Sequence, residues 1–257
     1  MRRWLVGLLF AVAVLMAGLR VPAREKPQEF GPPFQTVLEI ETTARLLAIL
    51  LDSGRAVINE NQERFDDPDD RKKGLTPVVF EEQLVDMFRS RSGFDLRDLN
   101  ASRLPQDAKK LLPVMVAASK HVVADFQSEI NHRGLGFPGL IPAVFGSRVA
   151  GRFSDSTGVR LKQTSLTPRN PANSPDAFER STLEAFADPS HPREQSISEV
   201  TVKGRALRLM YPLYTTRQCL VCHGGPKGEP DKTGYPREGL QLGQNAGAIS
   251  VMIPLHK

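Results

Sequence analysis

Two segments of the chain, GLTPVVFEEQLVDMFRSRSGFDL (74–96) and GLIPAVFGSRVAGRFSDSTGVRL (139–161), align without a gap at an offset of 65 residues. Gly74, Leu75, Pro77, Val79, Phe80, Phe88, Gly93 and Leu96 return as Gly139, Leu140, Pro142, Val144, Phe145, Phe153, Gly158 and Leu161. At the same offset Leu46, Leu47 and Gln62 meet Leu111, Leu112 and Gln127, and Arg55 meets Lys120. In the first copy Thr76 is placed to cap a helix, Pro77 suits its first position and Gly93 ends it. Two unrelated amphipathic helices would share apolar spacing without keeping this Gly and Pro punctuation in register. The pattern predicts an internally duplicated helical hairpin, each unit a long helix, a turn and a shorter Pro-started helix. The first unit is assigned to residues 36–104, its long helix running from Thr36 to about Glu63, and the second opens residues 105–257. The Pro-rich stretch 24–35 is expected to be a mobile lead-in.

After Gly158 the texture changes. VRLKQTSL alternates like a strand, and TPRNPANSPDAFERSTLEAFAD reads as a turn-rich loop entering a short helix at Pro175. SISEVTVKGRALRLMYPLY suggests two strands about a Lys203-Gly204 turn, and AGAISVMIPL a last strand. Helices followed by antiparallel strands give an α+β fold. The stretch 216–244 is a long loop rich in Gly, Pro and charge, a length that is uncommon unless functional.

That loop holds both cysteines, Cys219 and Cys222, with His223 directly after them. The compartment bears on what they do. MRRWLVGLLFAVAVLMAGLRVPA has a basic start, an apolar run from Trp4 to Leu19 and small residues Val21 and Ala23 at cleavage positions. Residues 1–23 read as a secretory signal peptide, with an uncleaved anchor as the alternative, so the rest is expected in the periplasm. The formal net charge of +5 includes Arg2, Arg3 and Arg20. Without residues 1–23, which hold no acidic residue, it falls to +2. Neither a basic block nor an aromatic-interleaved stripe is present, which argues against nucleic-acid binding.

Four chemistries compete for the cysteines. A structural disulfide across two residues would restrict the unfolded chain very little. A thioredoxin-like dithiol needs a helix N-terminus, and HGGPKGEPDKTGYP after Cys222 does not begin a helix. Zinc needs four ligands, and His121, His132, His191 and His256 are scattered without a second paired motif. C-x-x-C-H in an exported chain reads as c-type haem attachment, with Cys219 and Cys222 bonded to the vinyl groups and His223 beneath the iron. One covalent haem c per chain is the expectation.

The ordered set KGLTPVVF, GLIPAVFGSRVAGRFSDSTGVRLKQTS, RNPANSPDAFE, CLVCHG and GAISVMIPL resembles the periplasmic c-type haem sensor family with a PAS-like fold, over roughly residues 40–257. The resemblance implies an antiparallel PAS-like sheet, haem at the attachment loop and long N-terminal helices packed beside it. Many members are the sensing part of histidine kinases or chemoreceptors. Here the sequence ends at Lys257 with no kinase, so a signal is expected to pass to a separate partner. Some relatives supply a distal Cys from the N-terminal helix. With no third cysteine that ligand does not carry over.

Three function classes follow: a haem sensor of redox state or a small gas, a periplasmic electron-transfer protein, and a haem enzyme. An enzyme would need a distal acid–base group that no spacing assigns. Arg169 in RNPANSPD and Arg208 ahead of the attachment loop are candidates for haem propionates, against a plain Asn/Pro turn at the first. For the sixth iron ligand, helical spacing over 111–130 puts Leu111, Met115, Ala118, Val122 and Phe126 on one face. His121 falls on the flank with Asp125 and Ser128, and His132 in a polar helix end. The expectation is a vacant or weakly held distal side, with Met115 the leading protein ligand and core packing its alternative role.

Overall fold

A computed structural model describes residues 34–69, 74–132, 134–201 and 205–255. The signal segment, nearly all of the lead-in and the Lys203-Gly204 turn lie outside the described residues. Helix α1 (Phe34–Glu60) is followed by the short α2 (Gln62–Asp66) and by α3 (Pro77–Ser92). Then come α4 (Gln106–Asp125), α5 (Gln127–Ile130) and α6 (Pro142–Thr157). At an offset of 65, the bounds of α3 coincide with those of α6, the end of α1 with that of α4, and the start of α2 with that of α5. Thr76 caps α3 by accepting from the Val79 N–H, and Pro77 stands in its first turn. Gly93 (φ 78°) and Gly158 (φ 73°) close α3 and α6 in the left-handed region, where a side chain would be strained.

The long helix was expected to run unbroken to about Glu63. It breaks at Asn61, whose side chain donates to the Val57 carbonyl at 2.8 Å and to Gln83 at 2.9 Å. Such side-chain bonds compete with the helix ladder. A like break falls 65 residues on, at Phe126, between α4 and α5. In α4 the buried residues are Ala108, Leu112, Met115, Val116, Ala118, Ser119, Val122 and Val123, so the face turns towards Leu112 rather than the half-buried Leu111. His121 is exposed.

Strands β1 (Arg160–Thr164), β2 (Ile197–Val200), β3 (Ala206–Tyr214) and β4 (Asn245–Pro254) form one antiparallel sheet in the order β1-β4-β3-β2. Alternation splits its residues between two faces. Leu161, Leu207, Leu209, Ile249, Val251 and Ile253 join the core made by the helices. Met210 and Ala248 face the other way, onto Leu183 and Phe186 of α7 (Ala177–Ala187). That helix starts at Ala177 rather than Pro175, because Asp176 and Glu179 form a reciprocal capping box. Among the described residues no helix is long and apolar enough to cross a membrane.

Gly54, inside α1, shows how tight the core is. A Cβ there would lie 2.7 Å from the Phe145 ring, which is fully buried and packs on Phe80 with centroids 5.4 Å apart. Gly151, in the exposed part of α6, has open space. Alanine gains about 1 kcal/mol over glycine in a helix, whereas overpacking a core costs about 1–3 kcal/mol. Gly151→Ala should therefore raise the denaturation midpoint and Gly54→Ala lower it, as chemical unfolding of the two variants will measure.

Candidate haem-attachment site

Strands β3 and β4 bring the two ends of the long loop together. The Thr215 N–H donates to Gln244 at 3.0 Å, the Gly243 N–H to the Thr215 carbonyl at 3.0 Å, and Thr215 Oγ1 to the Gln241 carbonyl at 2.5 Å. Within the loop Cys219 precedes a single helical turn, α8 (Leu220–His223). The sequence beyond Cys222 was expected not to begin a helix, and this turn stops at once, at Gly224. A Cβ at Gly224 would stand 2.5 Å from the Leu220 carbonyl oxygen, so only glycine fits.

Both cysteines are unpaired and half-buried, and Thr216 Oγ1 lies 3.3 Å from Cys219 Sγ. Burial pushes the Cys222 thiol up, with nearby Asp231 acting the same way against Lys232, Arg169 and Arg237. Among the described residues no group of three His, Cys, Asp or Glu converges as a bare metal ion would require.

His223 Nδ1 lies 2.8 Å from Glu238 Oε2. Arg169, from the loop after β1, grips both oxygens of Glu238, Nε to Oε1 at 2.6 Å and Nη2 to Oε2 at 2.9 Å. Nη1 reaches Asp231 at 2.6 Å and Nη2 the Cys222 carbonyl at 3.0 Å. Burial works against the charge of Glu238, but hydrogen bonds from Arg169 and His223 hold its carboxyl below the usual range. Lys232 pairs with Asp66 at the end of α2 and lies 5.5 Å over the Phe137 ring, tying the loop to the helices.

The residues singled out in the sequence fall into separate places. Cys219, Cys222 and His223 are together, and Arg169 joins them. Four of the five Arg169 N–H groups are engaged by protein, leaving one for a propionate. Arg208 turns to α7, 2.6 Å from Asp176 and stacked on Phe178 at 4.6 Å. Met115 is fully buried in the helical core. Glu238 and Asp231 were not foreseen, since nothing in their spacing from His223 marks them. Their one signal is that the acids of the loop need a cation, and RNPANSPD supplies it.

A family profile described as Tll0287-like, Tll0287, matches residues 35–254. This chain belongs to the Tll0287-like family. The matched span takes in helices α1 to α8, the sheet and the whole of the loop that holds Cys219, Cys222 and His223. A crystal structure of the cyanobacterial haem protein Tll0287 is 18% identical and has a TM-score of 0.40. The alignment covers 58% of this chain and 91% of that one. No curated protein matches.

The residues present suit a covalent haem. His223 Nε2 has no protein partner among the described residues, and two free thiols sit at the required spacing. Among the described residues, three of the eight exposed large apolar side chains, Val221, Tyr235 and Leu242, belong to this loop.

Asp231 gives the loop a pH signature. Burial raises its carboxyl, but hydrogen bonds from Thr233 and Arg169 prevail and bring it down to about 2. Its unfolded value is about 3.9, so ionised Asp231 stabilises the fold fully above about pH 4 and loses that effect as pH falls through about 2. Wild type should exceed Asp231→Asn in stability at neutral pH, with the gap closing on acid titration followed by urea unfolding.

Proposed function

We propose that the chain is exported to the periplasm and carries one haem c, bonded through Cys219 and Cys222 with His223 as proximal ligand, as a sensor of redox state or a small gas. One observation carries this reading: the imidazole of C-x-x-C-H is held at Nδ1 by Glu238 and open at Nε2, beside two unpaired thiols. A ligating histidine ordinarily donates its other N–H to a carboxylate in this way. The haem would supply a redox-active, gas-binding iron. The protein's part is to fix the imidazole and to offer Val221, Tyr235 and Leu242 as apolar contacts. The haem protein Tll0287 among the similar structures accords with this cofactor.

The same proposal treats α1–α3 and α4–α6 as copies of one duplicated hairpin, supported by their matching bounds, and the sheet as PAS-like, supported by the crossover that sets β1 beside β4. Arg169 and Arg208 remain propionate contacts in this reading only through their unused donors. The distal side is open or weakly held. Burial of Met115 among core side chains accounts for that residue by packing.

Denaturing mass spectrometry of protein matured in an oxidising compartment should show one added haem. Apoprotein with one zinc per chain would end the reading. Cys219→Ala should weaken the covalent link, and His223→Ala should change the ligation spectrum. The N-terminus should begin at Arg24, whereas Met1 in a membrane fraction would indicate an anchor. A second reading is a periplasmic electron carrier, since a haem held by C-x-x-C-H can serve either role. Fast carbon monoxide binding to the ferrous protein, unchanged by Met115→Ala, His121→Ala and His132→Ala, supports the sensor. An unreactive iron supports the carrier.

A further inference from the structure

We propose that Arg169 is a positioning residue for the His223 imidazole and acts through Glu238, an inference that rests on His223 being the proximal ligand. An ionised carboxylate only accepts hydrogen bonds, so His223 Nδ1 at 2.8 Å from Glu238 carries the proton and Nε2 the lone pair. That is the tautomer a metal ligand needs. Glu238 alone would not hold this arrangement, because a single bond leaves its carboxylate free to rotate. Arg169 removes that freedom by taking one oxygen with Nε and the other with Nη2, a planar fork matched to the carboxylate.

The same guanidinium fixes the other side of the imidazole. Nη2 also donates to the carbonyl of Cys222, the residue before His223. Ring and backbone of the ligand are thus referred to one group, which comes from 53 residues earlier in the chain. Arg169 is itself fixed. Nη1 bonds Asp231, whose side chain is fully buried, and the Tyr235 ring lies 5.6 Å from its guanidinium.

Sharing Glu238 between a guanidinium and an imidazole also weakens it as an acceptor. Arg169 therefore limits how far the Nδ1 proton is drawn towards the carboxylate, and so how much electron density the ring gives a metal. A clamp that merely closed the loop would have no such effect.

Two measurements separate these roles. In the full chain made without haem attachment, ring ¹⁵N shifts of His223 under conditions where it is neutral should show the single Nδ1–H tautomer. Arg169→Gln should give a mixture, and wild-type shifts in that variant would overturn the proposal. If Arg169→Gln does not fold, Arg169→Lys decides in the same way, since it keeps the charge without the fork. In the haem-loaded protein Arg169→Gln should lower the midpoint potential and Glu238→Gln raise it. The double variant should return the Glu238→Gln value. An equal Arg169→Gln shift in both backgrounds would mean that its charge acts directly, which overturns the proposal. If no haem attaches, the mass measurement counts against the haem reading, and the tautomer measurement still decides this one.

Discussion

Between Thr43 and Ile58 helix α1 keeps only a narrow wet stripe, through Arg45, Asp52 and Arg55, and the rest of the fold is arranged to cover its other sides. Leu46, Leu47, Leu50, Leu51, Val57 and Ile58 are all buried, and α3, α4, α6, β3 and β4 pack around them. A helix with so wide an apolar surface is unstable in water by itself and must be enclosed. One continuous cluster, from Ala44 through Phe145 to Ile253, therefore runs through both helical units and into the sheet. Gly54 shows the geometric consequence. Enclosure leaves α1 no room for a methyl group where Phe145 crosses it.

That enclosure fixes the sheet, and the sheet fixes the attachment loop. β3 and β4 are paired along nearly their whole length, with a bulge between Leu213 and Tyr214, just before the loop begins. A loop of this length would be costly to order from its ends alone. It is held at interior points instead, by the Leu240 N–H on the His223 carbonyl, by Asp231 taking the N–H groups of Thr233 and Tyr235, and by Arg169. The chemistry of C-x-x-C-H is thus presented by a rooted segment whose shape is determined several residues from either cysteine.

The sequence made legible whatever was local. Thr76, Pro77 and Gly93 act where side-chain chemistry alone decides a helix end, and the four strands follow the alternation of their residues. The unit C-x-x-C-H was equally plain as a motif, because it lies within five consecutive residues. The break at Asn61 was hidden, since no Gly or Pro marks it and the Asn61 side chain finds its partner Gln83 22 residues away. Glu238 and Asp231 were hidden for the same reason. An acid in a polar loop becomes a partner of histidine or arginine only after the chain has closed on itself, and no periodicity records that.

The two helical units also show the same local signal leading to different structures. After Gly93 the chain enters a 3-10 turn, Leu96–Asp98, and after Gly158 it enters β1. Leu96 and Leu161 are equivalent residues, yet Leu161 pairs across the sheet with Val251 and Leu96 pairs with no strand. The difference lies in the partner, because β3 covers only one edge of β4 and the chain after Gly158 takes the other. Only this continuation past Gly158 creates the strand whose Lys162 and Thr164 hold the carbonyls of Ser174 and Asn173. Those bonds shape the loop carrying Arg169. The guanidinium beside His223 is therefore a consequence of one helical unit, and not its equivalent, continuing into the sheet.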